Sequence, residues 1–229
     1  IIPSYAKKAQ ETFMKKQNVV FSIVNHNHEL LIEALIESFE KYLKFSDHIT
    51  LKIIILNNLP SSKRFESKLF NIEQIENLRP LGFASNHNQI FTLTELDFFF
   101  VINPDIKLDR RFCLNTYLNL HDNYDVISPI QANARGNDLD FIRKDISLVN
   151  LVKRRFGFEH CTYNDFDWVC GAFMSFKSQT YKQLGGFDPA YRMYVEDCDI
   201  CHRARQAGYS LLIANNSFVN NIQIIFKIL

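Results

Sequence analysis

Apolar residues along this chain gather in short unbroken runs that end in polar clusters, and the runs alternate with stretches of helical spacing. "NVVFSIVNHNH" (18–28) begins apolar and β-branched and ends in asparagine and histidine, which predicts a buried strand emptying into a loop. In "ELLIEALIESFEKYLKF" (29–45), Leu31, Leu35, Ser38, Phe39 and Tyr42 recur at helical spacing. "LKIIILNN" (51–58) repeats the strand-then-asparagine design. "PSSKRFESKLF" (60–70) predicts a helix, and "ENLRPLGFASNHNQIFTLTEL" (76–96) a turn and a further helix. "DFFFVINPDI" (97–106) is a third strand, closing on Asn103-Pro104-Asp105. "LDRRFCLNTYLNLHDN" (108–123) predicts another helix and "YDVISPI" (124–130) a fourth strand.

Residues 131–165 break the rhythm. They are charged and weakly periodic and contain Gly136, so an irregular segment is expected, acting as a mobile lid or substrate-specific insert. "FDWVCGAFMSF" (166–176) then reads as one apolar, strand-like run around the only tryptophan. "KSQTYKQLGG" (177–186) predicts a short helix stopped by glycines. "FDPAYRMYVEDCDICHRARQAGY" (187–209) leads into a helix, and "SLLIANN" (210–216) is a last strand. Strands alternating with helices predict a single α/β domain with a mostly parallel central sheet covered on both faces. Ligands of such sheets gather at the carboxyl ends of the strands. Here those ends read Asn25-His26-Asn27-His28, Asn57-Asn58 and Asn103-Pro104-Asp105, three polar clusters that together predict one site.

Composition narrows the partners. Lys+Arg is 26 against Asp+Glu 25, so no global charge draws the chain to nucleic acid, and none is expected as a partner. The hydrophobic fraction is 47%, with 21 Phe, enough for a sizeable core. Five scattered cysteines predict reduced thiols and a cytoplasmic setting. Cys198 and Cys201 share a helix face and read as two small core residues. No secretory leader is expected from "IIPSYAKKAQETFMKKQ", and the start at Ile1 points to a missing natural start. The basic run "VKRRF" (152–156), with Arg143 and Lys144, reads first as a solvated loop and second as a surface for anionic lipid or an acceptor pyrophosphate.

Glycine-rich phosphate cradles are missing: neither G-x-G-x-x-G nor G-K-[ST] occurs. A phosphate ligand therefore calls for another counter-charge, and Mn²⁺ or Mg²⁺ held by Asp105 supplies one, since these ions use few protein carboxylates. "MYVEDCDICHRARQAGY" (193–209) crowds Glu196, Asp197 and Asp199 at a helix start, where the helix dipole tolerates negative charge. Glu196 and Asp197 are candidates for taking a proton from an attacking hydroxyl. Asp199 has Arg203 at i+4 and reads as structural.

Asn103-Pro104-Asp105, "GFASNHNQI" (82–90) and "DWVCGAFMSF…LGGFDPAYRMYVEDCDICHRARQAGY" (167–209) resemble family 2 glycosyltransferases, nearest the bacterial rhamnosyltransferase-like branch of cell-surface polysaccharide synthesis. The likeness covers residues 18–213. It implies a GT-A, Rossmann-like fold and an inverting transferase. The donor would be a dTDP- or UDP-sugar, and the acceptor lipid-linked or an oligosaccharide. The setting would be cytoplasmic, with peripheral contact at the inner face of the membrane. Carried over, Asp105 is the metal ligand and Asp197 the catalytic base with Glu196 beside it. Asn25, Asn57, Gly82, Asn88 and Asn103 would line the donor, and Trp168 and Gly171 precede the acceptor region. The implied division is an extension at 1–17, a donor half at 18–130, an acceptor and catalytic half at 131–213, and a tail at 214–229.

Two departures stand out. The family's second strand ends in Asp-Asn, where this chain has Asn57-Asn58. After "GYSLLIANN" the family continues with a histidine-bearing loop and a basic amphipathic segment, where this chain has "SFVNNIQIIFKIL". The alternatives are therefore a shortened, donor-binding but inactive remnant, or a metal-dependent nucleotidyltransferase.

Overall fold

The computed structural model describes residues 16–132 and 141–221. Its centre is a sheet of eight strands among the described residues. Strands β1 (Gln17–Asn25), β2 (Ile49–Asn57), β3 (Asn71–Glu76) and β4 (Phe98–Ile102) lie parallel in the order β3-β2-β1-β4. Beyond β4 come β9 (Phe173–Lys177), β6 (Val126–Ala132), β10 (Leu211–Asn221) and β5 (Ile106–Leu108). Two strands run against the rest: β9 is antiparallel to both β4 and β6, and β5 is antiparallel to β10. The expected mostly parallel α/β sheet is thus present.

Both faces of the sheet are covered, which is why its strands read as continuous apolar runs. On β1, Val19, Phe21 and Ile23 point to one face while Val20 points to the other; on β4, Phe100 and Ile102 oppose Phe99 and Val101. One face packs against helix α1 (Glu29–Tyr42) through Ile32, Leu35 and Phe39, and against α3 (Leu114–Leu120) through Leu114, Tyr117 and Leu118. The other packs against α2 (Phe83–Phe91), α5 (Ser178–Gln183) and α6 (Glu196–Gln206) through Ala84, Ile90, Tyr181, Ile200 and Cys201. Cys198 and Cys201 are buried free thiols on α6, as their spacing predicted.

Several elements differ from the sequence reading. The helix expected at 60–70 is an irregular segment. Its backbone is satisfied from elsewhere: Gln74 Oε1 accepts from Phe65 N–H at 2.7 Å, Gln74 Nε2 donates to the Lys63 carbonyl, and Glu40 Oε1 accepts from Lys68 N–H. Leu69, which a helix would turn inward with Phe65, is 64% exposed. The strand after it, β3, is missing from the reading because Ile72 and Ile75 sit three apart on a charged edge strand, where no alternation shows. The run 166–176 is two strands rather than one. Its first part, β8 (Trp168–Val169), pairs with β7 (Ile142–Arg143) in a separate ribbon, and only β9 joins the main sheet. Residues 141–165, expected to be irregular, hold β7 and helix α4 (Leu148–Arg155). The middle of the expected lid, 133–140, lies outside the described residues, as do 1–15 of the extension and 222–229 of the tail. Residues 214–221, placed in the tail by the reading, continue β10 within the sheet. No helix among the described residues is long and apolar enough to cross a membrane.

One polar cluster fixes α6 to the turn after α5. Arg203 donates to Asp199 Oδ2 at 2.8 Å and to the carbonyls of Leu184 at 2.6 Å and Gly186 at 2.9 Å. Gly186 sits at φ 72°, and Asn88 Oδ1 lies 2.4 Å from where a Cβ would stand, so only glycine fits the turn. Arg203→Ala should lower the unfolding free energy by about 2 kcal/mol, because it strands two carbonyls and a carboxylate. Asp199→Asn keeps the carbonyl bonds and should cost less than about 1 kcal/mol. Urea unfolding of both variants makes the comparison, and equal losses would mean the carbonyl bonds contribute nothing.

Candidate active site

The parallel register sets Asn25 opposite Asn57, and Asn57 opposite Glu76, at three adjacent strand ends. Their side chains link across the sheet. Asn25 Nδ2 donates to Asn57 Oδ1 at 2.8 Å, and Asn57 Nδ2 donates to Glu76 Oε1 at 2.5 Å. Asn25 and Asn57 are buried while Glu76 is exposed, so the chain of bonds runs from the interior to the surface. A second network lies beside it: Asn58 donates to His26 Nδ1 and the Leu81 carbonyl, and accepts from Leu81 N–H and Asn77 Nδ2. This network holds the loop that brings Gly82 to the start of α2.

Asn103 and Asp105 follow β4. Asn103 N–H donates to the Ala172 carbonyl at 2.9 Å, and Gly171 N–H, one residue earlier, donates to Asp197 Oδ2 at 2.8 Å. Two neighbouring residues of the β8–β9 connection therefore hold the strand-end loop on one side and the first turn of α6 on the other. The fit is close: a Cβ at Gly171 would lie 3.2 Å from Asp197 Cβ. The segment before α6 is strained. Tyr194 and Val195 both take left-handed φ, 69° and 72°, which for a β-branched valine is an outlier costing on the order of 1–3 kcal/mol. The same segment presses on α2, where the Arg192 carbonyl lies 2.6 Å from the place of a Cβ on Gly82 and accepts from Phe83 N–H.

No protein-family model matches the chain. It is 25% identical over 217 residues to the rhamnosyltransferase WbbL of Escherichia coli K12, covering 84% of this chain and 79% of that one. It is 23% identical over 216 residues to Agl10, a low-salt glycan biosynthesis hexosyltransferase of Haloferax volcanii, covering 89% of this chain and 66% of that one. Among solved structures it superposes on GalNAc-T7, crystallised with UDP, GalNAc and Mn²⁺, with a TM-score of 0.67 and 13% identity, over 92% of this chain and 44% of that one. The chain is a glycosyltransferase of the GT-A fold.

In this glycosyltransferase the expected residues fall into three groups. Asn25 and Asn57 join directly, and Asn103, two residues before Asp105, is linked to Asp197 through Ala172 and Gly171. Asn88 is used otherwise: its Oδ1 accepts from Tyr181 Oη at 2.7 Å and Phe187 N–H at 3.0 Å, and its Nδ2 donates to the Phe187 carbonyl. Its amide thus locks α2 to the glycine turn. Trp168 donates its Nε1 to the Lys144 carbonyl and fixes the β7–β8 ribbon. Glu76 was missed, because its strand was missed; the only signal was its place just before Asn77 and the turn into α2.

The acidic groups differ in environment. Burial pushes the Asp105 carboxyl up to about 6, and its Oδ1 is a buried acceptor with no hydrogen-bond partner. An orphaned carboxylate oxygen beside a strand end suits a divalent cation that completes its shell with diphosphate and water. Among the described residues no three His, Cys, Asp or Glu form a metal cluster. Burial also raises Asp197, while N–H groups of Gly171 and Cys198 oppose the rise. Glu196 is buried with Oε2 unpartnered; burial first, and the Asp197 charge as well, push it up to about 7 from 4.5.

Because the folded chain holds the Glu196 proton more tightly than the unfolded chain, this group's stabilisation is complete below its ordinary value of 4.5 and is lost as pH rises through about 7. Glu196→Gln should therefore raise the unfolding free energy, and with it the melting temperature, more at about pH 8 than at about pH 5, by on the order of 1 kcal/mol. Thermal unfolding at both pH values measures it, and an equal shift at each would show that Glu196 does not titrate differently on folding.

Proposed function

We propose that the chain is an inverting, family 2-type transferase that moves a hexosyl or rhamnosyl group from a dTDP- or UDP-sugar to a lipid-linked or saccharide acceptor in cell-surface polysaccharide synthesis. The observation that carries this reading is that Gly171 bonds the Asp197 carboxylate while its neighbour Ala172 bonds Asn103, two residues before Asp105. A carboxylate held by backbone N–H groups is thereby linked through one short connection to the loop carrying a carboxylate with an unsatisfied oxygen. WbbL is named for rhamnosyl transfer, and the GalNAc-T7 structure holds UDP with Mn²⁺, which supports the donor class and the ion.

In this reading Asn25, Asn57 and Glu76 receive the nucleoside. Asn57 replaces the family's carboxylate, and Glu76 restores one from the next strand, with an exposed oxygen left for a ribose or base hydrogen. Asp105 would hold a divalent ion, which would supply counter-charge for the diphosphate. Asp197 accepts the proton of the acceptor hydroxyl as that oxygen attacks the anomeric carbon from the face opposite the diphosphate. One C–O bond forms while the bond to the diphosphate breaks, so configuration inverts. Glu196 supports Asp197 from the same turn, and Trp168 and Gly171 border the acceptor side.

Asp197→Asn should cut transfer by about 10²–10⁴ and leave nucleotide-sugar affinity intact. Glu76→Gln should weaken nucleoside diphosphate binding by about tenfold without lowering the melting temperature. Asp105→Ala should fold normally and lose the thermal stabilisation that a nucleoside diphosphate gives only with Mn²⁺. Calorimetry, thermal shift and a transfer assay on the same preparations test all three. Pyrophosphate release from a nucleoside triphosphate, with no sugar transfer, would favour a nucleotidyltransferase instead.

A further inference from the structure

Helix α4 is amphipathic and has no buried residue. Leu148, Val149, Leu151 and Val152 fall on one arc of the helix, with Arg155 within that arc, and Asn150, Lys153 and Arg154 fall on the opposite arc. Leu148 is 83% exposed, and the apolar face continues into Phe156 and Phe158, at 70% and 67%. A bare apolar face of this extent marks an interaction surface. The charge around it narrows the partner. Lys153, Arg154 and Arg155 fill the last turn; Arg154 pairs with Glu159 at 3.0 Å, while Lys153 and Arg155 have no ion pair among the described residues. Aliphatic and aromatic side chains bordered by unpaired cations fit the interface of a bilayer with anionic headgroups.

The helix is held in place. Ser147 caps it by accepting from Asn150 N–H, and Asn150 Nδ2 donates to the Asp145 carbonyl. Asp145 pairs with Arg205 of α6 at 3.2 Å, and its N–H donates to Asp167 Oδ2. Trp168, three residues before Gly171, donates to the Lys144 carbonyl. The bare face is therefore braced against the helix that carries Asp197.

We propose that residues 146–158 are a docking surface for a membrane rich in anionic lipid, seating the acceptor half of the site at the bilayer. Binding is independent of the chemistry; its use in presenting a lipid-linked acceptor rests on the glycosyl-transfer reading above. The test is co-sedimentation of the full chain with vesicles of phosphatidylcholine alone and of phosphatidylcholine mixed with phosphatidylglycerol. Binding is expected to the mixed vesicles and to weaken with added salt. Lys153→Ala with Arg155→Ala should weaken it by about fivefold per charge, and Leu148→Ser with Phe156→Ser should abolish it. All four side chains are exposed, so melting temperatures and nucleotide binding should stay at the parental values. Failure to bind mixed vesicles, or binding unchanged in both variants, overturns the proposal. So does self-association of the parent that the Leu148→Ser, Phe156→Ser variant loses, since the face would then be covered by a second copy. Loss of transfer with vesicle binding retained would count against the reaction and not against the surface.

Discussion

The site depends on two consecutive residues, Gly171 and Ala172. Gly171 N–H bonds the Asp197 carboxylate, and the Ala172 carbonyl accepts from Asn103. The loop carrying Asp105 and the helix carrying Asp197 are therefore referenced to each other through a few covalent bonds. Catalytic groups must be positioned to within a fraction of an ångström to be useful. A short backbone bridge achieves this better than long side chains, because it leaves few torsions free. The absence of a Cβ at 171 is part of the device, since Asp197 fills that space.

The three crowded carboxylates at the start of α6 are tolerated because each meets different surroundings. Asp199 is neutralised by Arg203, which also anchors the glycine turn. Asp197 is held by two backbone N–H groups. Glu196 has neither, and burial raises it toward neutrality. Neighbouring acids with different proton affinities are what a proton-transfer site needs. The left-handed Tyr194 and Val195 feed into this turn, so local strain sits beside Asp197, where packing of Arg192 onto Gly82 sustains it.

The asparagines divide in the same way. Asn25 and Asn57 form a bonded row at the strand ends, and Asn58, Asn77 and Asn86 hold the loop into α2. Asn88, two residues further on, is spent on Tyr181 and Phe187. Buried amides are costly unless paired, so each of these positions is specified by its partners as much as by the cleft.

The sequence alone determined the order of buried strands and helices, since runs covered on both faces must be apolar throughout and strand ends must turn polar. It also marked Asn25, Asn57, Asp105 and Asp197 as residues worth placing, and Asp199 with Arg203 as a pair, because helical spacing is a local property. Only the tertiary structure decided how strand ends pair. The Asn57–Glu76 bond depends on β3, a charged edge strand whose isoleucines carry no alternation. Only the tertiary structure split the run 166–176 at Gly171, since nothing local distinguishes one strand from two that join different sheets. It likewise turned 60–70 away from a helix, because Gln74 on the following strand and Glu40 on α1 satisfy that backbone. Periodicity records which face a residue shows, whereas hydrogen-bond partners across long sequence separations are fixed only when the chain has closed on itself.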